Sequence, residues 1–134
     1  MIYLNVFTGE LIINKKLNFK INTKRSDLLL IDMTPPIQET EAGSNAKYFT
    51  ISGIDNDEID IVSLFYENNL QWISISLGKK YKFPRFTITL EEKKQVKKLL
   101  NMLGGEKVYS WGAVEFNEDN KGGIVSIIIK YNKE

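Results

Sequence analysis

The sequence predicts an α+β fold in which a mainly antiparallel β-sheet packs on one long helix. Short runs of β-branched and aromatic residues recur along the chain, and polar or glycine-containing turns separate them. Because these turns are too short to hold a crossover helix, the roughly eight expected strands should pair antiparallel. Residues 89–103 alone have the apolar spacing of a helix of several turns. We therefore expect a two-sheet sandwich or half-barrel wrapped on that helix.

The composition is typical of one globular domain. The chain has 134 residues, of which 43% are hydrophobic and 26% are charged, and a chain of this length can bury a core without disulfides. Residues 1–134 are therefore expected to form a single domain. No apolar run has the length of a membrane span, and the amino terminus lacks the pattern of a signal peptide. Since the chain also has no cysteine, we expect a cytoplasmic protein that does not associate with membranes.

The first half of the chain predicts strands, one short helix and one loop. Residues 2–21 alternate apolar and polar positions around a turn, which predicts a small antiparallel meander. Thr23 or Ser26 is expected to cap a short helix. The small and polar segment 37–45 predicts a mobile loop. Segment 48–77 is expected to contribute three strands, of which residues 59–66 form the most apolar.

The second half contains the long helix and two last strands. Thr87 or Thr89 is expected to cap the helix, and Glu92 follows Thr89 at the spacing of a capping box. Gly104 is expected to end the helix. Residues 108–116 and 124–131 then predict two strands joined by a turn that contains two glycines.

The residue types exclude most small-enzyme chemistry. The chain has neither histidine nor cysteine, so it lacks an imidazole base, a thiolate nucleophile and the ligands typical of zinc sites. No serine lies in a nucleophile elbow, and no glycine-rich loop has the spacing of a phosphate site. We therefore expect no catalytic residue, no cofactor and no metal site. Of the functions that we consider, an enzyme that uses carboxylates or a tyrosine ranks last.

Four carboxylates crowd one turn, namely Asp55, Asp57, Glu58 and Asp60. A solvated turn is the simplest interpretation. The same cluster could receive a basic partner and accelerate its docking. A calcium loop is a third possibility, but the glycine and the late glutamate of an EF-hand are not placed correctly.

One basic segment, residues 79–86, interleaves lysine and arginine with aromatic residues. With the lysines of the long helix it could bind single-stranded nucleic acid. The net charge of the chain is only +1, and Glu91 and Glu92 dilute the patch. We favour aromatic residues packed in the core beside a solvated helix face, so no direct nucleic-acid partner is expected.

The two tryptophans are the largest apolar side chains. Trp72 lies in an alternating strand and is expected to be in the core or half-buried. Trp111 lies between Ser110 and Gly112, and these small neighbours could expose a flat aromatic face that acts as an interface hot spot.

The carboxy-terminal third carries a family resemblance. The residues involved are Leu103-Gly104, Tyr109-Ser110-Trp111-Gly112-Ala113-Val114, the turn residues Asp119, Lys121, Gly122 and Gly123, and the strand Ser126–Tyr131, together with Phe7-Thr8-Gly9-Glu10 and Ile13-Asn14 near the amino terminus. This pattern resembles small bacterial immunity proteins of contact-dependent growth inhibition and related polymorphic toxin systems. The resemblance implies an intracellular protein that binds a cognate toxin domain and blocks it by occlusion.

Toxins of such systems are often nucleases, whose substrate-binding faces are basic, so acidic residues are the expected contacts. The predicted partner-binding residues are Asp55, Asp57, Glu58, Asp60, Glu67, Trp111, Glu115, Glu118 and Asp119. The alternative function is a small-molecule or lipid-binding half-barrel, which requires a large apolar cavity. The oligomeric state stays open, because an edge strand could pair with a partner or with a second copy.

Overall fold

A computed structural model describes residues 2–14, 17–31, 37–84 and 87–132 of the chain. Within these ranges the backbone forms ten strands and three helices. In chain order they are β1 (Ile2–Leu4), β2 (Leu11–Ile13), β3 (Leu17–Phe19), α1 (Arg25–Leu28), β4 (Gln38–Gly43), β5 (Ala46–Gly53), α2 (Ile54–Asp57), β6 (Ile59–Tyr66), β7 (Asn69–Leu77), α3 (Leu90–Met102), β8 (Lys107–Tyr109), β9 (Gly112–Asp119) and β10 (Ile124–Tyr131).

The strands form two antiparallel sheets. The first has three strands in the order β1-β2-β3, and the second has seven in the order β4-β5-β6-β7-β10-β9-β8. β4 and β8 are the two edges of the larger sheet, which therefore does not close into a barrel. The predicted α+β class is confirmed, with antiparallel sheets and one long helix.

The larger sheet has one face in the core, which we call the covered face. Its pairing register aligns Ile51, Ile61, Ile75 and Ile127 across β5, β6, β7 and β10, and all four are fully buried. The smaller sheet packs over this face with Leu11, Ile13, Leu17 and Phe19. Helix α3 adds Val96 and Leu100. The core therefore lies between the large sheet on one side and the small sheet with α3 on the other.

The long helix follows its local sequence signals. Thr89 is the N-cap, and its hydroxyl accepts the backbone N–H of Glu92 at 3.1 Å, as the capping box predicts. The helix stops at Gly104, whose φ of +108° lies outside the range that other residues readily adopt. Of the predicted apolar stripe, Val96, Leu100 and Leu103 are buried and Leu99 is half-buried against the core, so the stripe is confirmed.

Trp111 and its neighbours join the two sheets. The indole Nε1 donates to the carbonyl oxygen of Val6 at 2.9 Å, and the hydroxyl of Tyr131 donates to the carbonyl oxygen of Gly9 at 2.7 Å. The Trp111 ring stacks on Tyr109 with centroids 5.0 Å apart. Since only 6% of Trp111 is exposed, the expectation that this residue exposes a flat face is wrong.

Two expectations about strands need correction. Segment 37–45 is not a mobile loop, because residues Gln38–Gly43 form the edge strand β4 and pair with β5. Segment 108–116 is not one strand. It turns back at Ser110 and Trp111, so that β8 pairs with β9 as a hairpin.

Neither predicted cap, Thr23 or Ser26, is the N-cap of the short helix α1. Its N-cap is Lys24, whose backbone N–H donates to the Asp27 carboxylate at 2.9 Å. Thr23 instead accepts the N–H of Lys20 in the preceding turn. In the basic segment 79–86, residues 85 and 86 lie outside the described residues.

Candidate partner-binding surfaces

The predicted acidic cluster spans the short α2, Glu58 and the start of β6, and we call this segment the acidic turn. Although α2 has helical hydrogen bonds, its backbone makes a left-handed turn. Asp55, Asn56 and Asp57 have φ values of +54°, +59° and +64°. Each such residue costs about 1 kcal/mol of backbone strain, and Asp and Asn tolerate this region best. Gly78 packs against the turn, where a Cβ would lie 2.3 Å from the carbonyl oxygen of Asp57. The turn is thus fixed in place by the end of β7.

The structure places part of the basic segment directly beside this acidic turn. The backbone N–H of Lys80 donates to the carbonyl oxygen of Asp57 at 2.9 Å. The Lys80 ammonium lies 2.6 Å from the Glu58 carboxylate, and this hydrogen bond raises the pKa of Lys80 above its usual value. Asp60 accepts the backbone N–H of Gly53 at 3.0 Å. The two clusters that appear separate in the sequence therefore partly offset each other's charge.

The other predicted contact residues are divided among several places. Glu118 and Asp119 end β9 at the same end of the sheet as the acidic turn, whereas Glu67 follows β6 at the opposite end. Glu118 pairs with Lys93 of α3 at 3.2 Å. Asp119 accepts the N–H groups of its own turn, and Glu115 pairs with Lys130 at 3.0 Å.

A groove of about 480 Å³ opens between the acidic turn, the end of β7 and α3. Its lining combines apolar and charged side chains, namely Ile2, Asp55, Glu58, Ile59, Leu77, Tyr81, Gln95, Lys98, Leu99 and Met102. A lipid-binding half-barrel requires an enclosed apolar cavity. This groove has a different character, since carboxylates and a lysine line it.

The large sheet has a second face, which we call the open face and which sequence reasoning missed. Its middle row crosses all seven strands and consists of Thr40, Tyr48, Leu64, Trp72, Lys130, Ala113 and Val108. The rings of Tyr48 and Trp72 lie 6.0 Å apart. The next row contains Val62, Ser74 and Ile128. These side chains are half-buried by their neighbours in the sheet, except Thr40, Val108 and Lys130, which are exposed.

A hydrophilic row borders this apolar centre. It contains Asp60, Ser76, Ser126 and Asn117 on adjacent strands. The amide of Asn117 donates to the Ser126 hydroxyl at 3.2 Å, which satisfies the buried serine. The open face therefore changes from aromatic and aliphatic at its centre to hydroxyl and carboxylate near the acidic turn.

Neither a metal site nor a membrane-spanning helix is found in the part of the chain that the structure describes. There, no three carboxylates gather closely enough to hold a metal ion. None of the helices in the described ranges is long and apolar enough to cross a bilayer.

Comparison with known proteins gives one informative likeness. No protein-family model matches the chain, and no curated protein matches it. A chain of one solved structure shares this fold. That structure is described as "Rhs1-CT in complex with cognate immunity protein RhsI1". The match covers 98% of this chain and 87% of that chain, with a TM-score of 0.67 and 14% sequence identity. At this identity the likeness is one of fold.

Proposed function

We propose that this chain is an immunity protein that binds a cognate toxin domain and neutralises it by occlusion. The observation that carries the proposal is the likeness in fold over 98% of the chain to part of a complex whose description names an immunity protein. The resemblance in the amino-terminal and carboxy-terminal residues points to the same class of protein on separate grounds. The lipid-binding alternative has less support, because the groove beside α3 is lined by charged groups.

The architecture suits inhibition by binding. Occlusion requires a rigid surface and no chemistry, and a chain without histidine or cysteine offers little for turnover near neutral pH. The hydrogen bonds of Trp111 and Tyr131, which we call the joint, fix the small sheet on the large one. A rigid surface binds with less loss of conformational entropy than a mobile one.

The toxin that we propose is a nuclease that acts in the cytoplasm. A nuclease binds a polyanion and therefore presents basic groups around its active site. The acidic turn, with Glu118 and Asp119 at the same end of the sheet, would attract such a surface and accelerate association. Whether the locus belongs to contact-dependent growth inhibition or to an Rhs system is decided by the toxin gene.

Growth rescue tests the proposal. The carboxy-terminal domain encoded by the reading frame immediately upstream is expressed with and without this chain, and an unrelated toxin domain serves as the control. We expect growth to be restored for the upstream domain alone, and the purified pair to form a stoichiometric complex in calorimetry. Absence of both rescue and binding, or turnover of a substrate by the purified chain, would contradict the proposal.

A further inference from the structure

Two central strands of the large sheet carry apolar residues on both faces. In β6, Ile61 and Phe65 are buried in the core, while Val62 and Leu64 lie on the open face. In β10, Ile124 and Ile128 occupy the open face opposite the buried isoleucines. A strand with one solvated face alternates apolar and polar residues, whereas near-continuous apolar runs are typical of strands covered on both sides. The sequence of these strands therefore suits a sheet in which the open face, too, is packed against another surface.

The centre of the open face has the composition of a binding hot spot. Tyr48, Leu64 and Trp72 lie side by side on β5, β6 and β7. Tyr66, on the same face of β6, is 47% exposed. Tryptophan and tyrosine dominate binding hot spots because they bury a large rigid area at low entropic cost. On a monomer, a contiguous patch of this kind marks an interaction surface.

The charges on this face indicate what covers it. Among the described strand positions of the face, the carboxylates are Asp60, Glu115 and Asp119, and the cation is Lys130, which pairs with Glu115 at 3.0 Å. Asp60 and Asp119 accept backbone N–H groups, which leave their negative charge in place. Two copies meeting through this face would bring together two surfaces that each carry more carboxylates than cations, whereas a basic partner would offset the negative charge.

The size of the face suits a protein partner. The long strands β5, β6, β7, β10 and β9 each have eight or nine residues. At a spacing of about 4.8 Å and a rise of about 3.3 Å per residue they span roughly 600 Å². β4 and β8 extend this area at either edge. A stable interface buries roughly 800 Å² on each partner.

We infer that the open face, centred on Tyr48, Leu64 and Trp72, is the surface on which the toxin domain docks. The toxin covers it with an apolar centre and a basic rim that meets Asp60 and Asp119. This inference rests on the proposed function and specifies the surface that carries it out. The acidic turn then lies at the margin of the interface, where charge alters the rate of encounter more than the affinity.

Ser74→Arg is the sharpest test. Ser74 lies between Val62 and Ile128 at the middle of the open face. Arginine there adds bulk and positive charge without removing a core side chain. The matched control is Ser44→Arg, at an exposed position in the turn between β4 and β5. A second pair compares Trp72→Ala with Tyr3→Ala, since Tyr3 is 60% exposed on the small sheet.

The readout is calorimetric affinity for the inactivated toxin domain from the upstream reading frame, with thermal unfolding measured for every variant. Ser74→Arg and Trp72→Ala should each weaken binding by about 30-fold or more, as for loss of a hot spot. The two controls should change affinity by less than about threefold. The unfolding midpoint of Ser74→Arg should stay close to that of the wild type.

The outcomes separate the two proposals. If the wild type binds the toxin domain and both open-face variants bind it with unchanged affinity, this inference is overturned and the proposed function stands. Failure of the wild type to bind would overturn the proposed function itself. A wild-type dimer that Ser74→Arg converts to a monomer in sedimentation would assign the face to a second copy, and would also overturn the inference.

Discussion

Gly9, Trp111 and Tyr131 join the two sheets at the scale of single residues. A Cβ on Gly9 would lie 2.5 Å from the Trp111 ring, and the φ of Gly9 is +79°. Both the contact and the backbone conformation therefore require glycine. Gly9, Trp111 and Tyr131 all belong to the residues that carry the family resemblance, so part of that resemblance reports on the scaffold.

Gly9→Ala should destabilise the protein through both causes. The clash with Trp111 costs about 1–3 kcal/mol, as overpacking does, and the left-handed backbone adds about 1 kcal/mol. The matched control is Gly105→Ala, because Gly105 has a φ of +81° with no heavy atom within 4 Å of a built Cβ. Urea unfolding measures both variants. Equal losses in the two would show that the Trp111 contact contributes nothing.

Tyr131 should give the folded state a dependence on alkaline pH. Burial raises the pKa of Tyr131 above its usual value, with the nearby Glu10 as a second cause. Because the raised pKa favours the neutral form, this stability is full below the unfolded pKa of about 10 and is lost as pH rises through the folded pKa.

Tyr131→Phe tests that dependence by urea unfolding at neutral pH and above a pH of about 10. At neutral pH the variant should lose about 1 kcal/mol, since the carbonyl of Gly9 loses its donor. Above that pH it should lose less further stability than the wild type does. Tyr3→Phe, at an exposed position, should follow the wild type throughout. If the free energy of unfolding fell in parallel with pH in the wild type and in Tyr131→Phe, Tyr131 would not be the cause of the alkaline dependence.

At the scale of elements, the sequence predicts the helices and strands that contacts between near neighbours in the chain form. Thr89, the apolar spacing and Gly104 define α3 within one stretch of chain, and the structure confirms each of them. β4 has no such signal, because its sequence is polar. It is a strand because it pairs with β5, and because Lys47 contacts Glu39 and Glu41. The hydrogen bond from Lys47 also lowers the pKa of Glu39 below its usual value.

The β8–β9 hairpin was missed for a similar reason. Ser110 and Trp111 carry no strong turn signal, and the turn is held by the indole bond to Val6, far away in the sequence. Contacts of this kind become visible only once the fold is known.

The acidic turn should influence how fast a basic toxin associates. Replacing Asp57 and Glu58 by lysine reverses two charges beside Lys80. We expect the association rate at low salt to fall by about tenfold or more, with a weaker dependence on salt. Stopped-flow mixing with the inactivated toxin domain measures this rate. The double variant Glu91→Lys with Glu106→Lys, at exposed positions elsewhere, serves as the control. An unchanged association rate and salt dependence in the turn variant would exclude the acidic turn from the encounter surface.

At the scale of the whole molecule, the sequence identified acidic residues but not their arrangement. The pleat of a strand assigns residues to two faces, yet the sequence does not say which face is covered. In the structure, Asp60, Glu115 and Asp119 lie on the open face. Glu118 lies on the covered face, where it pairs with α3, and Glu67 is at the far end of the sheet. The near-continuous apolar runs of β6 and β10 were the signal that could have indicated a second buried face.

The molecule should also unfold as a single unit, as the expected single domain requires. The small sheet has three strands of three residues each, too few to be stable alone, and its leucines and isoleucines belong to the same core as those of the large sheet. Near-ultraviolet dichroism reports the packing of the aromatic side chains, among them Trp111 with Tyr109 and Tyr131, and far-ultraviolet dichroism reports the strands. The two urea transitions should coincide, as two-state unfolding demands. Trp111→Phe, which removes the donor to Val6, should shift the far-ultraviolet transition to lower urea without splitting it. A separate early transition in the wild type would show that the small sheet detaches before the large one, and that the joint does not couple them.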